Sequence, residues 1–265
     1  LVVYRLPEAK SIAMLAAWPT SRLPHLPACL VVACSVALLL RKLKMAGADE
    51  KKPEEGKTPS DSEDLNLSST VKPVLECLRR RRSVFPRHYV DREMPVAVVQ
   101  SMLDAAAWAP FHGSRPPWRF VVLGKRAMVE MQRLTLDFYD KNWAETGWAD
   151  GVHGSETEYL SWRSMTEEEI AGRWGPCSFM IANVMQRQAG SKRMPEWEEA
   201  AATACAVQNM HVQACSFPGV ACYWSSWHDA ARDSAEMKTY LGLGPEDKLL
   251  GFLMLAACEP SLKDN

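Results

Sequence analysis

No two cysteines of this chain form a C-x-x-C pair. Cys29, Cys34, Cys77, Cys177, Cys205, Cys215, Cys222 and Cys258 are scattered, too thinly for a disulfide scaffold and without zinc-site spacing. G-x-S-x-G, H-E-x-x-H, a phosphate-loop motif and G-x-G-x-x-G are also missing. Their absence removes the serine-elbow hydrolases, the zinc proteases and the Rossmann dinucleotide site from consideration. Charge of one sign is lacking too: 31 basic residues face 32 acidic ones, a net charge of -1, so no overall field draws in nucleic acid and any basic function must be local. His211 and Cys215 lie four apart on a predicted helix. With no further ligands nearby in sequence, we read them as a packed histidine and a buried thiol, and expect no metal site.

Long hydrophobic runs are short of what a membrane needs. The longest apolar stretch, Ala28 to Leu40, has 13 residues, broken only by Ser35, and is followed by Arg41-Lys42-Leu43-Lys44, whereas a spanning helix takes about 20. No acid occurs between Ala9 and Ala48. Residues 1–44 therefore read first as a targeting segment for an organelle (plastid or mitochondrion), second as a short membrane anchor with a tether at 28–40, third as an untranslated leader. Without such a segment the location would be cytoplasmic. Residues 45–70 carry seven acids and three lysines among Pro, Ser, Gly and Thr, the composition of a disordered acidic linker. A folded domain is expected over 71–260, with 261–265 as a tail.

Within that domain, Val96 to Trp108 has helical spacing after Pro95 and before Pro110. Phe120 to Leu123 reads as a strand, and Ala127 to Asn142 as a helix. Trp143, Trp148, Trp162 and Trp174 stand in a weakly periodic stretch with Gly147, Gly151, Gly154 and His153. It is either a lid over the site or a cap on the core. Strands are predicted at 178–184, 220–224 and 249–257, and helices at 197–215 and 228–240. On the longer of those helices, Ala201, Ala204, Cys205, Gln208 and Val212 lie close to one face, whose small residues suit close packing against another helix or a second copy. Interleaved helices and apolar strands indicate a layered α+β or α/β domain.

Two stretches carry chemistry. Arg79-Arg80-Arg81-Arg82-Ser83 offers guanidinium forks and a hydroxyl, donors suited to a phosphate or carboxylate, although a bare basic run is more often a solvated face. Trp108-Ala-Pro-Phe-His-Gly-Ser-Arg-Pro-Pro-Trp-Arg-Phe120 is a loop stiffened by three prolines, with His112, Ser114 and Arg115 as polar groups. An Arg-Arg-Ser block, a helix, then Ala-Pro-…-Pro-Trp-Arg-Phe resembles the FMN-dependent nitroreductase family. The histidine in the loop is most similar to the small bacterial NAD(P)H nitroreductase branch. Glu196-Trp197 with Ala206-Val207-Gln208-Asn209, then Gly219 to Ser226, then Gly242 to Leu253 are similar to its later segments, so the likeness runs from about 71 to 260.

The resemblance implies an α+β nitroreductase-like fold: a central mixed, mainly antiparallel sheet flanked by helices, in an intertwined homodimer with the flavin at the interface. It implies an oxidoreductase that reduces FMN with NADH or NADPH and passes electrons to a small oxidised acceptor (nitroaromatic, quinone or similar) by a ping-pong mechanism. A flavin-binding member without efficient turnover and a reductive dehalogenase-like relative are the alternatives. Arg81, Arg82 and Ser83 would hold the phosphate and ribityl end. His112, Ser114 and Pro116 would lie near the flavin, and Trp224, Ser225 and Ser226 along its ring, largely through backbone donors. Hydride chemistry belongs to flavin N5, so no side chain is assigned a catalytic role. Pro116 stands where the family usually has glutamine, and Lys263 is the candidate for a C-terminal basic residue at the phosphate.

Overall fold

A computed structural model describes residues 2–4, 67–113, 115–149, 151–190 and 193–263. The apolar stretch 28–40 and residues 12–66 lie outside the described residues. No described helix is long and apolar enough to cross a membrane.

Five strands form one sheet in the order β1-β2-β3-β5-β4. They are β1 (Val2–Tyr4), β2 (Trp118–Gly124), β3 (Phe179–Met185), β4 (Val220–Ser225) and β5 (Lys248–Ala257). The sheet, expected mixed and mainly antiparallel, is antiparallel at each described pairing. β1 comes from the segment set aside as a leader and pairs along β2, Val3 opposite Val121. Successive side chains of a strand point to opposite faces, and here both faces are covered. Phe120, Val122, Ile181, Leu253 and Leu255 pack on one side with Val99, Met102, Ala206, Val207 and Met210, from α2 (Val96–Ala106) and α5 (Glu196–Ser216). Val121, Leu123, Met180, Ala182, Phe252 and Met254 pack on the other with Met128 and Met131, from α3 (Lys125–Thr146), and Met237 and Leu241, from α7 (Ala235–Leu241). This double burial is why the strands read as continuous apolar runs rather than alternating ones. Each fully buried Leu, Phe or Met stabilises the fold by about 1.5–3 kcal/mol.

Other boundaries differ from the sequence reading. α1 (Leu67–Arg80) begins four residues inside the expected linker. The expected helix over 228–240 is two, α6 (Asp229–Arg232) and α7, because Ser234 ends one and caps the next, accepting from the Met237 N–H at 3.1 Å. Pro260–Lys263, partly in the expected tail, is a 3-10 turn. The tryptophan-rich excursion is largely helical. α4 (Glu156–Glu169) starts with a reciprocal Ser155–Glu158 capping box and runs into a π turn at Ile170–Trp174. Trp143 stacks on Tyr159 at 5.0 Å, and Trp148, Trp162 and Tyr139 complete a small core of its own. Asp140 accepts from the Tyr159 hydroxyl at 2.6 Å and from Arg163. Its partial burial opposes charge, but the bonds from Arg163 and Tyr159 outweigh that and hold its carboxyl below the usual range.

One glycine fixes the geometry of the β4–β5 edge. Gly251 has φ +95°, and a Cβ there would lie 2.2 Å from the Ser225 carbonyl oxygen. Gly251→Ala should therefore lower the unfolding free energy by about 2–4 kcal/mol, through backbone strain and a contact that only a shift of β4 can relieve. Urea denaturation measures this; a loss below about 0.5 kcal/mol would show that the edge yields freely.

Candidate functional site

The arginine block sits where α1 ends and the chain turns toward β4. Arg80 is engaged by Glu76 one turn earlier at 2.9 Å, and Arg79 is exposed. Arg82 folds its guanidinium back onto the carbonyls of Arg79 and Arg81, closing the C-terminal end of α1. Arg81 instead reaches toward the Ser83 hydroxyl, Nη1 to Oγ 3.4 Å. Next, the Val84 N–H donates to the Cys222 carbonyl of β4 at 3.1 Å, and Phe85 lies against Tyr223 with ring centroids 5.0 Å apart. Arg81 and Ser83 thus converge within a few residues of Trp224-Ser225-Ser226.

At the end of β4 the backbone is strained. Trp227 has φ +64°, an arrangement costing of the order of 1–3 kcal/mol that persists only where its surroundings impose it. Its buried indole donates to Thr135 Oγ1 at 2.9 Å and packs on Phe252, and its N–H donates to Ser225 Oγ at 3.1 Å. The Ser225 Oγ therefore serves as an acceptor within its own turn. Trp224 donates Nε1 to the Leu250 carbonyl at 2.8 Å and leaves 36% of its surface exposed. Trp174, at the end of the π turn, stacks on Tyr223 at 6.4 Å and meets Trp227 at 6.0 Å. The excursion accordingly backs onto the segment that carries Trp224.

The proline-rich loop lies elsewhere. His112 Nε2 is 3.2 Å from Glu198 Oε1 in the first turn of α5, with 75% of its side chain exposed. The Pro116 carbonyl accepts from the Gln188 side-chain amide Nε2 at 3.3 Å, and the Pro117 carbonyl from the Gln186 N–H at 2.6 Å. Gln188 thus brings a side-chain amide beside Pro116, which has none. Ser114 lies outside the described residues. The two groups of predicted site residues are not brought together in one chain. β3 and β5 stand between β2 and β4, a lateral offset of about 14 Å at the usual strand spacing. Arg82 meets α5 at His211, whereas His112 meets it at Glu198, about 20 Å apart at 1.5 Å per residue.

Sequence reasoning missed the residues that hold these groups: Glu198 for His112, Gln186 and Gln188 for the prolines, and His211 with Cys215 for Arg82. Only the last pair left a signal, its spacing of four. Arg119, inside the loop motif, caps α7 by donating to the Leu241 and Gly242 carbonyls at 2.9 and 2.8 Å. Among the described residues no cluster of three His, Cys, Asp or Glu is placed to hold a metal ion. Burial pushes the Cys177 thiol up to about 12, so that thiol is no nucleophile near neutrality.

The donors at Arg81 and Ser83 fit a phosphate. They are a guanidinium and a hydroxyl converging at a chain turn, with Arg80 rather than Arg81 taken by the neighbouring carboxylate.

Comparison with known proteins identifies the family. A 4-nitrobenzoate reductase of Nocardioides sp. (strain LMS-CY) is 30% identical over 118 residues, 42% of this chain and 47% of that protein. A candidate NADH dehydrogenase/NAD(P)H nitroreductase of Methanothermobacter thermautotrophicus is 42% identical over 57 residues, 22% of this chain and 29% of that protein. The chain spans less than half the length of these curated relatives. Among solved structures, the FMN-dependent nitroreductase NfnB of Mycobacterium smegmatis in complex with NADPH superposes with a TM-score of 0.51 at 13% identity, covering 73% of this chain and 90% of that one. The fold is therefore shared where the sequence has diverged. The model of the nitroreductase family matches residues 78–256, from the end of α1 through β5, and the chain belongs to the nitroreductase family.

Proposed function

We propose that this protein is an FMN-dependent oxidoreductase working as a homodimer. Bound FMN would accept hydride from NADH or NADPH and deliver it to a small oxidised acceptor, such as a nitroaromatic or quinone, in a ping-pong order. The carrying observation is the convergence of Arg81 and Ser83 beside the end of β4, in a chain of this family. Arg81 and Ser83 would hold the phosphate, and Arg82 would keep the end of α1 in place behind them. Trp224, Ser225 and Ser226 would lie along the ring, Trp224 through its open indole face and the serines through their backbone. Donors at that edge favour negative charge on the ring.

The dimer is supported by what a single chain leaves apart. The His112–Pro116 loop and the Arg81–Ser83 anchor lie at different ends of α5, so one site would take its anchor from one copy and its loop from the other. On α5, Ala201, Cys205 and Gln208 are exposed opposite the core-facing stripe. Trp197 is 71% and Trp108 87% exposed. Apolar surface of this kind is the usual material of a two-fold interface.

A visible spectrum tests the reading. Protein incubated with FMN and freed of excess should keep the oxidised flavin absorption, and NADPH or NADH should bleach it within the mixing time. Protein that retains no flavin sinks the proposal, and retained flavin that neither donor bleaches removes the oxidoreductase activity from it.

A further inference from the structure

We infer that His211 and Cys215 on α5 are positioning residues for the cofactor's phosphate anchor, an inference that rests on the reading of Arg81 and Ser83 given above. The two side chains, four apart on α5, His211 buried and Cys215 half-buried, meet the backbone of one residue, Arg82, 129 and 133 residues earlier in the chain. His211 Nε2 is 3.0 Å from the Arg82 carbonyl oxygen. A carbonyl only accepts, so that ring nitrogen carries the proton. Cys215 Sγ is 3.4 Å from the same oxygen and 3.4 Å from the Arg82 amide nitrogen, able to donate to one and accept from the other.

Arg82 is the residue between the two proposed anchors, and its own guanidinium is turned away onto α1. Gripping its backbone therefore sets where Arg81 and Ser83 point. Beyond Ser83 the chain is pinned again, through the Val84 N–H on the Cys222 carbonyl. The anchor is thus a short span fixed at both sides, one side by α5 and the other by β4. A phosphate gains most from donors that are already in place, because ordering them on binding would cost affinity. His211, only 5% exposed, gives its Nε2 proton to this carbonyl, which identifies the pair's role as a backbone clamp rather than the metal site its spacing also allows.

The test compares FMN with riboflavin, which has the same ring and ribityl chain but no phosphate, by quenching of flavin fluorescence. Arg81→Ala is the control for the anchor itself. His211→Phe keeps a ring but removes the donor, and His211→Gln restores one. Cys215→Ala gives a second, smaller lesion should His211→Phe not fold. His211→Phe should weaken FMN roughly tenfold, the order of one well-placed hydrogen bond, and leave riboflavin within about twofold. His211→Gln should recover most of the loss, and Cys215→Ala should shift FMN alone, by less. If Arg81→Ala weakens FMN but His211→Phe and Cys215→Ala bind it like the wild type, the clamp is wrong and the anchor stands. If the His211 and Cys215 variants weaken both flavins equally, their role is general structure and the inference is overturned. If Arg81→Ala itself leaves FMN binding unchanged, the anchor reading fails and the clamp with it.

Discussion

Arg81→Ala is expected to raise the FMN dissociation constant by about 100-fold. A guanidinium on a phosphate dianion forms charge-assisted hydrogen bonds worth about 1.5–3 kcal/mol, and tenfold in affinity corresponds to 1.4 kcal/mol. Adding Ser83→Ala should cost roughly a further fivefold, the value of a neutral hydroxyl donor. Arg79→Ala, which alters an exposed side chain, should change affinity by less than about twofold. Arg82→Ala should fall between these limits, because its exposed guanidinium is bonded to the carbonyls at the end of α1. On the proposed reading the block of four arginines divides by function: Arg79 solvated, Arg80 paired with Glu76, Arg81 as the phosphate anchor, Arg82 as a strut. Equilibrium titration by fluorescence quenching at fixed salt gives all four values. Equal losses at Arg79 and Arg81 would mean that the block acts only as diffuse charge, and the effect would then fade with ionic strength.

Much of the fold was legible in the sequence, and for identifiable reasons. β3 and β5 were readable because both faces of the sheet are covered, so Met180 to Val184 and Leu249 to Ala257 are apolar at nearly every position. The family motifs were readable because the Trp108–Phe120 loop combines stiff prolines with a fixed aromatic pattern. Which face of α5 is buried was not readable. Ala202 and Ala206 line the core while Ala201 and Cys205 face outward, and small residues on both faces leave composition without a preference. The excursion hid its helix for a different reason. Trp143, Trp148, Tyr159 and Trp162 pack on one another rather than on the main core, so α4 shows no strong apolar stripe. Partners such as Arg82 with His211, or His112 with Glu198, are set by tertiary packing across long sequence separations that no local pattern encodes.

Glu199→Ala should cause a large loss of stability, about 3–5 kcal/mol, because it leaves a buried cation unpaired. Glu199 is completely buried in the first turn of α5 and pairs with Arg187, whose side chain is only 7% exposed. It also accepts from the Met194 N–H at 3.3 Å, while the Arg187 N–H donates to Asp247 at 3.0 Å. The Asp247 carboxylate in turn accepts from the Gly244 N–H at 2.8 Å. The pair therefore ties together the segments between β3 and α5 and between α7 and β5, beside the turn where Glu198 meets His112. Glu199→Gln keeps an oxygen acceptor and should lose less. Replacing both partners, Arg187→Met with Glu199→Leu, should restore much of the loss, since no buried charge then remains to be desolvated. Urea denaturation of the singles and the double closes the cycle, and an interaction term of 2 kcal/mol or more is expected between residues in direct contact. Additive losses would mean that water reaches the pair, and that the start of α5 is held by its apolar stripe alone.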